Sequence, residues 1–263
     1  VPVGPLYSAF FNELQWALRR LDYTVVQYGS LGLSGDEAAR AWAELRPVAV
    51  ISLGEIGLSA HNVATLKRAG ARAVITLGPV GVPGAHALGM DQTEVGARAA
   101  EHLIGRGHRR IGVVVPEEAG LELFSAPRLA GARSAVAAAE ASGIGLGLEQ
   151  LAMSYTEESA AGLAARWRSL GLDAVFAYND EYAMLLMRAL QDEGLRVPEG
   201  VAVIGADDLL IGRLLRPRLS TVRIEMPTGD HLASLVDQAV REPSELIQRH
   251  DLMTATALHR DST

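Results

Sequence analysis

The sequence predicts an α/β protein with two doubly wound parallel sheets, each covered on both faces by helices. Two observations predict this class. Continuous apolar strands alternate with amphipathic helices, the mark of buried parallel strands. That series also restarts near residue 110, so the chain carries two such sheets. No Ser- or Pro-rich linker separates the halves, which predicts short hinge crossovers between them.

The elements follow in order. Phe10 to Leu21 is an amphipathic helix, with Phe10, Phe11, Leu14, Leu18 and Leu21 at three-to-four spacing. Thr24 to Tyr28 reads as a β-branched and aromatic strand. Gly35 to Leu45 is a helix, and Val48 to Leu53 a buried-type strand. Ser59 to Ala69 is a helix ended by Gly70, and Ala73 to Leu77 is the next strand. After a Gly/Pro loop from Gly78 to Gly84, Asp91-Gln92-Thr93-Glu94 has capping-box form with Asp standing in for Ser/Thr. It opens a helix to about Arg106. The second series places strands at Arg110–Val115, Leu151–Ser154, Asp173–Tyr178 and Val201–Gly205. Helices are expected at Pro127–Ala141, Glu157–Leu170 and Glu181–Glu193, the last followed by Gly194.

Composition narrows the chemistry. A chain of 263 residues makes one large domain or two modest ones. Hydrophobic residues at 49% and charged residues at 21% fit a globular protein rather than a disordered one. Apolar runs such as Ala183 to Met187 fall far short of the roughly 20 residues of a membrane span, and no basic-then-apolar leader marks export. A net charge of −7 with interspersed signs disfavours unaided DNA binding. With no cysteine, disulfides, thiolate metal sites and a cysteine nucleophile are excluded. The seven histidines show no HExxH or other ligand spacing. No P-loop or nucleophile elbow appears, and Gly143-Ile144-Gly145-Leu146-Gly147 is not GxGxxG. The expectation is a non-enzymatic protein without metal or cofactor. Its ligand should sit beyond the carboxyl ends of the strands, in a cleft between two facing sheets.

Three stretches go beyond pattern. Glu101-His102-Leu103-Ile104-Gly105-Arg106-Gly107-His108-Arg109-Arg110-Ile111-Gly112 joins a helix to a strand through "GH" and a basic residue. Asp173-Ala174-Val175-Phe176-Ala177-Tyr178-Asn179-Asp180 is followed by Gly194-Leu195-Arg196-Val197-Pro198. Val203-Ile204-Gly205-Ala206-Asp207-Asp208 precedes Arg216-Pro217-Arg218-Leu219-Ser220-Thr221-Val222. Together with Arg128-Leu129-Ala130-Gly131, Phe10-Phe11 and the closing Leu258 to Thr263, they resemble the LacI family of transcription regulators along the whole chain. The resemblance implies a type I periplasmic-binding-protein-like core. Its N-terminal subdomain is expected at 1–108 plus 223–248, and its C-terminal subdomain at 109–222 plus 249–263.

The same resemblance assigns residues. Arg128 matches an arginine that hydrogen-bonds the effector, for which a planar fork of donors suits adjacent hydroxyls or a carboxylate. By itself it reads as an exposed first-turn residue after Pro127. Asn179 matches a ligand contact, with Asp180 as the helix cap; a plain N-cap is the other reading of Asn179. Asp207 matches an aspartate that accepts from the ligand, while Asp208 is expected to be structural or hinge-facing. Adjacent strand-end residues point in different directions, so the two do not form a working carboxylate pair. Asp91 reads as cap, ligand contact or both. Tyr155 matches an aromatic that stacks on a sugar face. Phe10 and Phe11 match residues lining the cleft; core packing is an equal reading of Tyr155 and Phe10 and the better reading of Phe11.

Family members carry an N-terminal helix-turn-helix headpiece, and nothing before Phe10 holds three helices, so a core without its headpiece is expected. The first strand is expected to be reduced to Val1-Pro2-Val3. The resemblance implies a cytoplasmic homodimer that senses a small polar effector, a sugar by preference, and reaches operator DNA only through the headpiece. Met184, Met187, Leu210, Leu214 and Leu215 are candidates for the dimer face. An exported sugar-binding protein of a transporter is the alternative reading.

Overall fold

The computed structural model describes residues 4–28, 33–53, 57–78, 81–89, 91–242, 249–251 and 253–263. Val1 to Val3, and Pro79 and Val80 of the expected Gly/Pro loop, lie outside the described residues. The chain divides into two compact units, Val1–Asp91 with Met226–Met253, and Gln92–Glu225 with Thr254–Thr263. It passes between them three times.

Unit 1 holds helices α1 (Pro5–Arg20), α2 (Gly35–Glu44) and α3 (Ala60–Arg68). Its sheet comprises β1 (Ala49–Leu53), β2 (Ala73–Leu77), β3 (His86–Gly89) and, after the return of the chain, β9 (Arg249–Asp251). The strands are parallel and in sequence order across the sheet, with β9 at one edge. α10 (Gly229–Arg241) packs on α1. Capping explains where the helices begin. Ser34 and Glu37 close a capping box on α2, and Ser59 and Asn62 close another on α3. Trp42, Val50, Val63, Leu66 and Val74 form the centre of an apolar core.

Unit 2 contains α4 (Gln92–Gly105), β4 (Arg110–Pro116), α5 (Glu122–Ala141), β5 (Gly147–Met153), α6 (Glu157–Ala165), α7 (Trp167–Leu170) and β6 (Ala174–Phe176). It continues with α8 (Asp180–Asp192), β7 (Ala202–Ala206), α9 (Leu210–Leu214), β8 (Ser220–Glu225) and β10 (Thr254–Leu258). The sheet order is β10-β8-β7-β6-β4-β5, with only the β8–β10 pairing antiparallel. Every residue of β6 and β7 is buried, so both faces of the central sheet are covered. The order β5-β4-β6-β7-β8 reverses direction at β4. The crevice beyond the carboxyl ends of β4 and β6 is therefore the switch point where such sheets take ligands.

Several expectations change. The unit boundaries fall at 91/92, 225/226 and 253/254 rather than 108/109, 222/223 and 248/249. The reason is α4, which packs closely on α5 and also touches β7, β8 and β10. Thr24 to Tyr28 is not a strand: no described strand pairs with it, and Val26 is 65% exposed. β-propensity without a ladder partner and a packed face does not make a strand. β3 was not foreseen, because His86-Ala87-Leu88-Gly89 is short and carries no β-branched residue. α5 begins five residues before Pro127, which therefore lies inside the helix. The expected helix from Glu157 to Leu170 is interrupted at Arg166. Met187 is core, whereas Leu210 and Leu214 are exposed. Among the described residues no helix is long and apolar enough to cross a membrane, and no group of three metal-ligating side chains occurs.

Candidate functional site

The site begins with two glycines. Gly96 on α4 and Gly131 on α5 face each other's backbone so closely that a Cβ on Gly96 would lie 1.7 Å from the Arg128 carbonyl oxygen. A Cβ on Gly131 would lie 1.9 Å from that of Thr93. Only glycine permits this approach. One turn from Gly96 stands Gln92, and three residues before Gly131 stands Arg128, so each is on the contact face of its helix. The two helices thereby bring Gln92 and Arg128 together at the carboxyl edge of the unit 2 sheet.

Arg128 is 2% exposed. Its Nε donates to Gln92 Oε1 at 2.9 Å, Nη1 to the Tyr178 carbonyl at 2.7 Å, and Nη2 to Asp207 Oδ1 at 3.4 Å. Its guanidinium also lies over the Tyr178 ring, 4.9 Å from the centroid, a cation–π placement. Burial raises the Asp207 carboxyl pKa, and the Arg128 charge and hydrogen bonds from Arg128 and Asn179 oppose that rise. Asp207 has φ +96° and Asp208 φ +50°. Non-glycine residues adopt such backbone only when their surroundings impose it. Here the Asp207 N–H is fixed to the Val222 carbonyl and the Asp208 N–H to Thr221 Oγ1.

The two aspartates do point apart. Asp208 takes Arg213, Arg223 and Arg260, which together with their hydrogen bonds hold its carboxyl below the usual range against the effect of burial. It is a structural anchor, as expected. The cap assignment is reversed. Asn179 Oδ1 accepts from the Glu181 and Tyr182 N–H groups and is itself the N-cap of α8. Asp180 is buried instead, accepting from the Leu209 N–H and Thr221 Oγ1. Burial pushes the Asp180 pKa up to about 8, opposed by those donors.

An aromatic row continues outward from Arg128. Tyr178 meets Tyr182 edge-on at 5.3 Å, and Tyr182 meets Tyr155 at 5.3 Å with the rings tilted. Tyr155 is 42% exposed. Glu118, in the loop after β4, accepts from both the Tyr182 hydroxyl and the Tyr155 N–H. Those bonds hold its carboxyl pKa down although burial acts the other way.

Of the residues expected at a binding site, Arg128, Asn179 and Asp207 form one bonded set, and Tyr155 joins it through the ring contacts. Phe10 lies on the buried face of α1 with Tyr7, Leu14, Ala17 and Leu18, while Phe11 is the half-buried ring of the pair, so the core-packing reading suits Phe10 better than Phe11. Asp91 is exposed and belongs to unit 1, immediately before α4. Sequence reading did not single out Gln92, Glu118, Tyr178 or Tyr182 for this site. Gln92 and Tyr178 adjoin Asp91 and Asn179, but only the fold shows that they meet at Arg128.

The profile of the periplasmic binding protein-like domain matches residues 100–263. The chain is similar to the HTH-type transcriptional regulator CelR of Thermobifida fusca, 32% identical over 182 residues, which cover 65% of this chain and 51% of that protein. It is also similar to the HTH-type transcriptional regulator GalR of Escherichia coli K12, 33% identical over 168 residues, 62% of this chain and 47% of that one. The chain thus spans about half the length of the curated relatives it matches. Its fold is similar to that of a LacI family transcriptional regulator from Enterococcus faecium with bound ribose. The TM-score is 0.79 at 22% identity, covering 100% of this chain and 96% of that one.

Proposed function

This chain belongs to the periplasmic binding protein-like family, and from that premise we propose that it is the effector-binding domain of a LacI-type regulator whose unit 2 holds a small sugar at the Arg128–Asp207 edge. The observation that carries this reading is the burial of Arg128 with its fork directed by Gln92, the Tyr178 carbonyl and Asp207. A charge pair this buried adds little net stability against an apolar replacement of similar volume. It does supply a fixed donor beside a fixed acceptor, the pattern that matches adjacent hydroxyls. The ribose bound by the E. faecium relative supports a sugar as ligand class.

In the intact regulator, the ligand shifts an equilibrium between two states by its differential affinity for them. That shift alters operator affinity through a DNA-binding segment in the cytoplasm. The protein acts as a homodimer, and Leu210 and Leu214 of α9, 69% and 63% exposed, offer an apolar face to a second copy.

The test is a thermal-shift screen over neutral pentoses, hexoses and disaccharides, followed by calorimetric titration of the best ligand. A ligand selective for the folded chain raises its melting point. Arg128→Ala is expected to weaken that ligand by about 2–5 kcal/mol, because a polar partner is left unpaired. Unchanged affinity removes Arg128 from the site.

A further inference from the structure

We infer that Asp180 is a positioning residue for the sugar site, holding the turn Asp207-Asp208-Leu209 in the shape that presents the Asp207 carboxylate to the ligand; the inference rests on the proposed effector site. Asp207 and Asp208 both sit in the left-handed region, at φ +96° and +50°. Side chains other than glycine stay there only under outside constraint. Three N–H bonds supply it. The Asp207 N–H donates to the Val222 carbonyl at 2.9 Å, the Asp208 N–H to Thr221 Oγ1 at 3.3 Å, and the Leu209 N–H to Asp180 Oδ2 at 2.7 Å. The first extends the pairing of β7 with β8. The other two lead to Asp180, because Thr221 Oγ1 in turn donates to Asp180 Oδ1 at 2.7 Å.

The neighbouring residues make room for this carboxyl. β7 carries Gly205 against it, where a Cβ would lie 2.3 Å from Asp180 Oδ1. On α9, a Cβ on Gly212 would lie 3.5 Å from Oδ2, in ordinary contact. A side chain at 205 would therefore evict Asp180 from its slot. The group is fully buried. Burial pushes its pKa up to about 8, helped by Asp207 and opposed by the bonds from Thr221 and Leu209 and by Arg260. A carboxyl in such a place weakens folding relative to an apolar side chain of similar volume. What it supplies is a pair of oxygens aimed at the turn. Asn179 acts on the same turn from the adjacent position, through its side-chain hydrogen bond to Asp207. The start of α8 thus grips the ligand's acceptor with one residue and the backbone that carries it with the next.

The experiment titrates the full chain calorimetrically with ribose, galactose and cellobiose and follows whichever binds most tightly. Asp180→Ala is expected to weaken that sugar at least about 10-fold in protein that circular dichroism shows folded, because the turn loses its anchor. Asp180→Asn keeps an acceptor for Leu209 and a donor for Thr221, and is expected to bring affinity back to within about 3-fold of the unaltered chain. Thr221→Val removes the hydroxyl between Asp208 and Asp180 at nearly constant volume. It is expected to weaken the sugar about 3- to 10-fold, and the double variant Asp180→Ala/Thr221→Val to fall short of the product of the two single losses. If Asp180→Ala does not fold, Thr221→Val decides. Urea stability lowered with affinity unchanged in the folded variants makes Asp180 merely structural and overturns the inference, and if Arg128→Ala still abolishes binding the effector site stands. Asp180→Asn as weak as Asp180→Ala also overturns it. Binding indifferent to Arg128→Ala, or binding of none of the three sugars, overturns both readings.

Discussion

Among the described residues, the polar side chains buried in unit 1 are the uncharged Ser52, Asn62 and Thr76, whereas unit 2 buries Arg128, Asp180 and Asp207 outright. In unit 1, Asn62 completes a cap on α3, and Thr76 lies within β2 with its hydroxyl on the His86 carbonyl. In unit 2 the charged groups gather at the carboxyl edge of the sheet, where Arg128 bonds to Asp207 on its strained backbone and Asp180 accepts from the Leu209 N–H and Thr221. Both units are parallel sheets with helices around them, so the fold alone does not require buried charge. The difference teaches that unit 2 carries a polar arrangement that folding by itself would not select, which is where binding is expected.

Breaking the pair in unit 2 gives the largest effect. Arg128→Ala leaves Asp207 buried without its cation and is expected to lower stability by about 3–5 kcal/mol in urea denaturation. The combined change Arg128→Met with Asp207→Asn is expected to recover part of that loss, since no charge is then stranded and asparagine tolerates the φ of +96° at this position. A double variant as unstable as the single one breaks the comparison.

In unit 1 the matching probe is apolar. Leu66→Ala, at a fully buried position in the core, is expected to cost about 3 kcal/mol by the same measurement, and sugar binding by the folded fraction should persist.

A smaller effect lies in unit 2 away from the site. Burial, with His259, Arg106 and His108 nearby, lowers the His102 pKa to about 4 from an ordinary 6.5. A histidine depressed in the folded state contributes stability above its unfolded pKa, and that contribution is lost as pH falls from 6.5 towards 4. His102→Gln is therefore expected to flatten the pH dependence in that window by about 1–2 kcal/mol, allowing for solvent at this half-buried ring. Equal slopes for both proteins contradict it.

Asn179→Ala is expected to be the mildest change, about 1 kcal/mol from the lost cap on α8. A double-mutant cycle with Asp207→Asn would also report the bond between Asn179 and Asp207.

Period made the fold class legible: β4, β6, β7 and α8 fall close to where spacing puts them, whereas β5 and α5 begin earlier and β8, α9 and β10 were not expected; Ser59 and Gly70 bracket α3 as capping rules require. The first misreadings have one cause. Thr24 to Tyr28 has strand propensity but no described partner, and β3 has a partner but weak propensity, so in both cases pairing decided. At the site, Arg128 and Asp207 were legible only through the family resemblance. Their meeting depends on Gly96 and Gly131, which read as ordinary helix glycines until α4 and α5 are seen in contact. Asn179 rather than Asp180 caps α8; either side chain can cap a helix, and only the neighbouring Leu209 and Thr221 show that Asp180 turns inward.

The most direct measurement is calorimetric titration of the best neutral sugar into the Arg128→Met/Asp207→Asn protein after circular dichroism has shown it folded. The account predicts that binding disappears while the fold remains. Affinity equal to that of the unaltered chain would contradict it.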